Sequence, residues 1–359
     1  MVGKNCGFVT LCKKDESFPK FRSYHCIIHQ EALCSKIPNF NHVIEKVTKI
    51  INTIRSAPMQ HRLFKSLLEE DECEFTDLLL HAEVRWLSKS RMLEQFINLI
   101  DQIKKFLVEK SVLMDVLNDP CWLADLGFIT DVMLKLQSLN LGLQGLNKEI
   151  MDMISLVNAF KTKLKLFISH LEKKSFSHFP NFQKFMNDDT KDNIDKYIAY
   201  FNDLYEQFSK RFDEFGDIEA NIMFLSNPFA SKEDIVSVAN SLSKICSQVD
   251  STSLEMEIIE IKNNIPLKIA FEQNGTEFWK LVEVAKFPNL KYLALNLKSH
   301  FGSTYLCESL FSTMKIVKSK YRSRLTDCNL NDCIRTALSK YVPDFQKLAK
   351  DIQCHLGPG

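Results

Sequence analysis

Two residues near the start of this 359-residue chain could bind a metal ion. Cys26 and His29 form a Cys-x-x-His pair, and a zinc site requires two such pairs or an equivalent set of four ligands. Cys34, His42 and His61 do not recur at a spacing that supplies a second pair. A structural role is therefore the favoured interpretation of the pair, and we expect neither a bound metal nor another cofactor.

An arginine and a tryptophan lie side by side just before a predicted helix. Trp86, next to Arg85, could stack on an unpaired nucleic-acid base. A tryptophan in such a place can also be a large apolar anchor between helices. The residue types alone favour packing, and both residues remain candidates for DNA contact.

The most basic segment of the chain lies near its C-terminal end. Five of the ten residues from 315 to 324 are cations, namely Lys315, Lys318, Lys320, Arg322 and Arg324. On a helix, Lys315, Lys318 and Arg322 would share one face, which suits contacts to phosphate groups. The same side chains could instead complement the C-terminus of a helix and keep a surface soluble, and this second interpretation is favoured.

No constellation of catalytic residues stands out elsewhere in the sequence. A serine, histidine and acid arrangement, a glycine-rich phosphate loop and a paired-carboxylate motif are all missing from the pattern. We therefore expect that the chain is not an enzyme and that it has no small-molecule substrate.

Helical periodicity dominates the elements that must position these groups. From about residue 39, apolar residues recur with a period of 3.6, which predicts a series of amphipathic helices. Asp119 followed by Pro120 is a helix-start signal. Residues 24–29 look like a short strand. Near the end, Thr326 could cap a helix whose apolar stripe could pack inside the chain or against a partner; the stripe comprises Leu330, Cys333, Ile334, Leu338 and Tyr341.

The composition narrows the class of protein. Hydrophobic residues make up 45% and charged residues 25%, which is typical of a globular chain. The 27 phenylalanines, against 10 glycines and 10 prolines, favour long packed helices. The 46 basic and 45 acidic residues leave a net charge of +1, so binding to nucleic acid would need a local patch. Scattered cysteines, the lack of a signal peptide and the lack of a long apolar run predict an intracellular protein that does not enter membranes.

Several ordered motifs together resemble the C-terminal block of hAT-type DNA transposases. They are Thr-Glu-Phe-Trp at 276–279, Phe-Pro-Asn-Leu at 287–290, Cys-Glu-Ser-Leu-Phe-Ser at 307–312 and Lys-Tyr-Arg-Ser at 320–323. Residues 3–8 and 24–33 resemble the segment after the family's second catalytic aspartate, and 78–88 resemble the arginine-tryptophan signature of its inserted helical domain. The chain also resembles transposase-derived proteins of the BED-zinc-finger and general transcription factor II-I repeat types.

The resemblance implies a fold and a division into domains. In the family, a ribonuclease-H-like core is interrupted by a long helical insertion. We therefore expect a mainly α chain with few strands. Its domains would be a core remnant at 1–38, the helical insertion at 39–275, and a C-terminal core segment with the dimerisation region at 276–359.

The resemblance also assigns roles to single residues. In the family, two aspartates and one glutamate hold two metal ions; Glu308 matches the glutamate, and both aspartates are expected to precede Met1. One carboxylate cannot hold two divalent cations, so Glu308 is not expected to be catalytic. Trp86 matches a position that is associated with a flipped base.

These expectations combine into one functional hypothesis and one alternative. The hypothesis is a non-catalytic, hAT transposase-derived protein that associates with itself or with related hAT-derived proteins. Leu330, Ile334 and Leu338 are the proposed contact residues. The alternative is residual nuclear DNA binding through segment 315–324. An intracellular location, the nucleus more than the cytoplasm, fits both.

Overall fold

The computed structural model describes the chain as a set of α-helices. It covers residues 7–18, 21, 23–36, 40–79, 86–107, 111–145, 148–187, 193–231, 234–244, 249–300, 302–339, 344 and 346, and none of these forms a strand. The prediction of a mainly α chain is confirmed, whereas the few strands of a ribonuclease-H-like remnant are not found in these ranges. The chain divides into two compact units, 1–303 and 304–359.

Nineteen α-helices and three 3₁₀ turns make up the described part. The first nine helices are α1 Phe8–Lys14, α2 Ile27–Cys34, α3 Asn41–Arg55, α4 Pro58–Glu70, α5 Trp86–Asn98, α6 Ile100–Leu107, α7 Ser111–Asn118, α8 Pro120–Leu143 and α9 Ile150–Glu172. The next eight are α10 Pro180–Phe185, α11 Asp195–Phe212, α12 Gly216–Ser226, α13 Ile235–Ser243, α14 Ser251–Asn263, α15 Ile265–Asn274, α16 Phe278–Leu281 and α17 Pro288–Lys298. The second unit contains α18 Tyr305–Val317 and α19 Asp327–Leu338. The 3₁₀ turns are Asp213–Phe215, Gly275–Glu277 and Lys320–Arg322.

Helix α8 is the centre of the first unit. It starts as the sequence predicts, because the Asp119 carboxylate accepts the Cys121 N–H at 2.9 Å and Pro120 occupies the first turn. Residues on every side of its middle section are buried. Helices α2, α3, α5, α7, α9 and α10 pack around it, so this helix has no solvent-facing stripe.

The α8–α10 contact depends on a glycine and a carboxylate. A Cβ atom at Gly127 would lie 2.5 Å from the carbonyl oxygen of Asn181, so only glycine lets the start of α10 approach this closely. One turn along α8, the buried Asp131 carboxylate accepts the Phe182 N–H at 2.9 Å and the Asn181 amide at 2.8 Å. Burial raises the pKa of Asp131, while these hydrogen bonds oppose that rise. A carboxylate from α8 thus caps the N-terminus of α10.

The same junction occurs a second time in the first unit. The Phe-Pro-Asn sequence at 179–181 recurs at 287–289, and Phe179 and Phe287 have nearly the same backbone angles (φ −132°, ψ 67° and φ −131°, ψ 56°). At the second junction, Glu257 of α14 accepts the Leu290 N–H and the Asn289 side-chain amide, both at 2.8 Å. Two helices therefore begin with proline and are capped by a carboxylate from a neighbouring helix.

Aromatic side chains form the seam between α8, α10 and α11. The ring centroids of Phe128 and Tyr197 are 4.5 Å apart, and those of Phe182 and Tyr197 are 4.7 Å apart. The Tyr197 hydroxyl donates to the Asp125 carboxylate at 2.7 Å. The neighbouring Tyr200 hydroxyl is buried and has no hydrogen-bond partner in the described part of the chain. Aromatic packing is thus the main cohesion of this seam.

The two ends of the first unit meet. The Ile27 N–H, the first of helix α2, donates to the Gly302 carbonyl at 3.0 Å, and the Tyr24 ring stacks on His300 at 5.9 Å. The predicted strand at 24–29 is wrong, because α2 begins at Ile27 and its first N–H is satisfied by Gly302 instead of by a neighbouring strand.

The sequence also predicts Ser88 or Ser90 as the N-cap of α5 and Ser231 as the N-cap of α13, and both predictions are wrong. Helix α5 is described from Trp86 onward, so neither Ser88 nor Ser90 is its N-cap. Helix α13 is capped by Asp234 and not by Ser231. In both cases the apolar period is right and the boundary is misplaced, because boundaries depend on local caps that several residue types can supply.

The second unit contains a pair of helices, α18 and α19, that pack on each other. Thr326 caps α19 as predicted, since its hydroxyl accepts the Asn329 N–H at 3.4 Å. Among residues 304–339, Leu330 is the one buried side chain. This helix pair therefore has almost no core of its own.

Candidate functional site

The basic segment begins in the last turn of α18 and continues beyond it as an exposed turn. Helix α18 ends at Val317, and residues 320–322 form a 3₁₀ turn. The prediction that Lys315, Lys318 and Arg322 share one helical face is therefore wrong. All five cations are nevertheless exposed. One of them, Lys318, makes an ion pair with Asp327 at 3.7 Å, and a pair this exposed contributes little.

A tyrosine that the sequence reasoning passed over lies in the middle of this turn. Tyr321 is 97% exposed, between Lys320 and Arg322. No aspartate or glutamate occurs from 309 to 326. The sequence shows an aromatic residue within a basic segment that contains no acidic residue. Only the structure shows that its ring is exposed.

The predicted contact stripe on α19 separates into three levels of burial. Leu330 is buried, Ile334 is partly buried and Leu338 is exposed. Leu330 thus belongs to the inside of the α18–α19 pair. The larger exposed apolar surface of this unit lies on α18, where Leu306, Leu310, Phe311 and Ile316 are all exposed.

Glu308 lies in the first turn of α18 and is exposed. The Thr304 hydroxyl donates to its carboxylate at 2.8 Å. Within the described ranges, no three His, Cys, Asp or Glu side chains come together as a metal would need. The residues around Glu308 therefore do not fit a two-metal centre, which requires several oxygen ligands from more than one carboxylate.

The other candidate residues lie in the first unit. Cys26 precedes α2 and His29 lies on it, partly buried and exposed respectively. Trp86 begins α5, but its side chain, like all of Arg85, lies outside what the structure describes. An open groove of about 700 Å³ runs along α3 to Lys89 of α5. Its charged lining includes Glu45 as well as Lys49 and Lys89, so it favours neither anions nor cations.

A buried glutamate, missed by the sequence reasoning, connects α2 to α8. Glu31 is fully buried, and its carboxylate accepts hydrogen bonds from the Asn140 amide at 2.5 Å and the Ser35 hydroxyl at 3.3 Å. Burial raises the pKa of Glu31 to about 7, against the lowering effect of these two donors. Glu31 therefore changes charge near neutral pH.

Two family models match separate parts of the chain. The FAM200/GTF2IRD2 helical domain matches residues 25–172. The hAT family C-terminal dimerisation region matches residues 252–337, which include α14–α17 and most of the α18–α19 pair. The chain thus carries the dimerisation region that defines hAT-type proteins.

Curated relatives point the same way. General transcription factor II-I repeat domain-containing protein 2 of Bos taurus is 32% identical over 332 residues, which are 91% of this chain and 33% of that protein. The protein of the same name from Mus musculus is 28% identical over 329 residues, with 89% and 33% coverage. The chain is a member of the hAT transposase-derived proteins, and it spans about one third of the length of these relatives.

No solved structure matches the chain. None of the described helices is long and apolar enough to cross a membrane.

Proposed function

We propose that the chain is a non-catalytic, domesticated hAT-derived protein that associates with a second copy of itself through the α18–α19 pair. Related hAT-derived chains would be the other partners. The observation that supports this most is the exposure of Leu306, Leu310, Phe311 and Ile316 in a unit whose described residues bury only Leu330. The match of residues 252–337 to a dimerisation region supports the same proposal.

Energetics explain why such a helix pair needs a partner. Each large apolar side chain that leaves water contributes about 1.5–3 kcal/mol. Among the described residues 304–339, Leu330 is the one large apolar side chain that is buried. Burying the exposed apolar residues of α18 against a second copy would supply the missing core.

The non-catalytic part of the proposal rests on Glu308. Among the described residues, Glu308 belongs to no group of three or more His, Cys, Asp or Glu side chains that could hold a metal ion. The same proposal includes the division into domains. Residues 1–38 would be a ribonuclease-H-like remnant, and the functional parts would be the helical insertion (39–275) and the C-terminal segment (276–359).

Mass by light scattering across a dilution series tests the association. Leu306→Asp and Phe311→Asp place a charge on exposed positions of α18, so they should turn a dimer into a folded monomer. The matched control is Leu166→Asp on α9, since Leu166 and Leu306 are both 45% exposed. This control should leave the mass unchanged.

Leu330→Asp serves as a second control with a different expected result. Because Leu330 is buried, a charge there should unfold the helix pair, visible as lost helical circular dichroism. A wild-type chain that is monomeric at every concentration would refute the proposal. Equal dissociation by Leu166→Asp and Leu306→Asp would also refute it, since association would then not be specific to α18.

A second candidate function is nuclear DNA association through segment 315–324. The observation in its favour is the exposure of all five cations within a chain whose net charge is only +1. Counterion release would make this binding steeply salt-dependent. Affinity for duplex DNA that does not change with salt would exclude it.

A further inference from the structure

We propose that the turn at 318–324 is a binding site for single-stranded nucleic acid, in which Tyr321 is the platform on which an unpaired base stacks. This proposal is independent of self-association. It also differs from general DNA attraction by the basic segment, because it assigns the recognition to an aromatic side chain and to unpaired bases.

The first argument is the position of the tyrosine. Large aromatic rings are usually at least partly covered, because their burial is favourable. Tyr321 is 97% exposed, the highest value among the large hydrophobic residues that the structure describes. The turn that holds it is ordered by backbone hydrogen bonds from the Arg322 N–H to Ser319 at 3.0 Å and from the Leu325 N–H to Arg322 at 3.2 Å. The ring is therefore presented to solvent by a defined turn.

The second argument is charge. Tyr321 is flanked by Lys320 and Arg322, and two more cations, Lys318 and Arg324, lie three residues to either side. Outside the Lys318–Asp327 pair, the cations of this turn have no carboxylate within ion-pair distance in the described ranges. Proteins bind single strands with two components: aromatic rings, on which the bases stack, and cations, which contact the phosphate groups. The turn at 318–324 contains both.

The combination favours single strands over duplexes. A base in a duplex is already stacked on both faces, so Tyr321 could reach it only after the duplex is opened. A single strand offers unpaired bases without that cost. Cations alone would bind both forms, and the duplex has the higher charge density. Preference for the single strand is thus the property that Tyr321 adds.

The test is fluorescence anisotropy of the full chain with a labelled 15-nucleotide DNA of mixed sequence, single-stranded or annealed to its complement. Tyr321→Ala should weaken binding to the single strand about tenfold, whereas Tyr321→Trp should preserve it. Tyr292→Ala on α17 is the matched control, because Tyr292 is also an exposed tyrosine, and it should change nothing. Lys320→Gln with Arg322→Gln should lower the salt dependence by about 1.4 log units per log unit of salt.

The outcomes separate this proposal from the others. Equal affinity of wild type and Tyr321→Ala for the single strand would overturn it, as would a wild-type preference for the duplex. Binding of polyglutamate with the same affinity as DNA would also overturn it, since simple charge attraction would then be sufficient. Light scattering must show the same mass for Tyr321→Ala as for wild type; loss of the dimer in this variant would reassign Tyr321 to the association surface.

Discussion

Helices α8 and α18 are both rich in apolar residues, but their surroundings differ completely. Helix α8 buries fifteen of its 24 residues, and neighbours cover it on all sides. None of the 13 residues of α18 is buried, although its sequence contains six large apolar side chains, Leu306, Leu310, Phe311, Met314, Ile316 and Val317. An apolar helix is therefore evidence of a packing partner, and that partner can lie within the chain or outside it.

The polar groups show the same contrast. Carboxylates on α8 and α14, Asp131 and Glu257, are buried and cap other helices. Glu308 on α18 is exposed and accepts a hydrogen bond from Thr304, the N-cap of its own helix. Buried carboxylates of this kind fix which helices meet, since leaving one unpaired would cost several kcal/mol. The first unit is thus specified by its own polar groups.

The largest expected effect concerns Glu31, which joins α2 to α8. Its pKa is about 7 in the folded chain and 4.5 in the reference state. Between these values the folded chain holds a proton that the unfolded chain has released, so stability falls as pH rises through this window. The total loss is about 3 kcal/mol and is constant above pH 7. Urea unfolding of wild type and Glu31→Gln at pH 5 and pH 8 should show a smaller pH effect in the variant. The same pH effect in both proteins would contradict the assignment to Glu31.

A smaller loss is expected for Gly127→Ala, which tests how tightly the first unit is packed. The new methyl group would meet backbone atoms of Asn181 and Phe182, and overpacking of this kind costs about 2 kcal/mol. Gly142→Ala is the control on the same helix. Its Cβ atom would meet only a Leu156 methyl group at 3.5 Å, so this change should be neutral or stabilising by about 0.5 kcal/mol. Equal melting temperatures for the two variants would show that the α8–α10 junction can yield.

The smallest effects distinguish two tyrosines of α11. Tyr197→Phe removes a buried hydrogen bond to Asp125 and should destabilise the chain by about 1 kcal/mol. Tyr200→Phe removes a buried hydroxyl that has no partner, and it should be neutral or stabilising by a similar amount. Chemical denaturation of both variants measures the difference. A loss of stability in Tyr200→Phe would show that its hydroxyl does have a partner.

The same three sets of variants also show whether self-association depends on the first unit or only on α18. They change residues of the first unit only, so the mass measured by light scattering should be the same for every folded variant. A change of mass caused by Gly127→Ala would break the contrast, because association would then depend on the core around α8.

The sequence predicts much of the helical unit for identifiable reasons. Asp119, which is followed by Pro120, and Thr326 are local signals of a helix start, and both residues are confirmed as N-caps. The two carboxylate-capped junctions are not predictable in this way, because each joins a carboxylate to an amide far along the chain. Only the shared Phe-Pro-Asn sequence at 179–181 and 287–289 marks them.

The site residues were harder to predict. An apolar stripe such as Leu330, Ile334 and Leu338 reads the same whether it packs inside the chain or against another copy. The helical period of the apolar residues therefore cannot show that Leu330 is buried and Leu338 is exposed. Tyr321 was missed because exposure of a single aromatic residue depends on the turn and has no counterpart in the periodic pattern.

The hydrogen bond between Ile27 and Gly302 has a consequence for synthesis on the ribosome. Chains grow at about 5–20 residues per second, so roughly 14–55 s pass between translation of the two partners. During this interval the acceptor for the first N–H of α2 has not yet been synthesised, so the contact that joins Ile27 to Gly302 cannot form before residue 302 is translated.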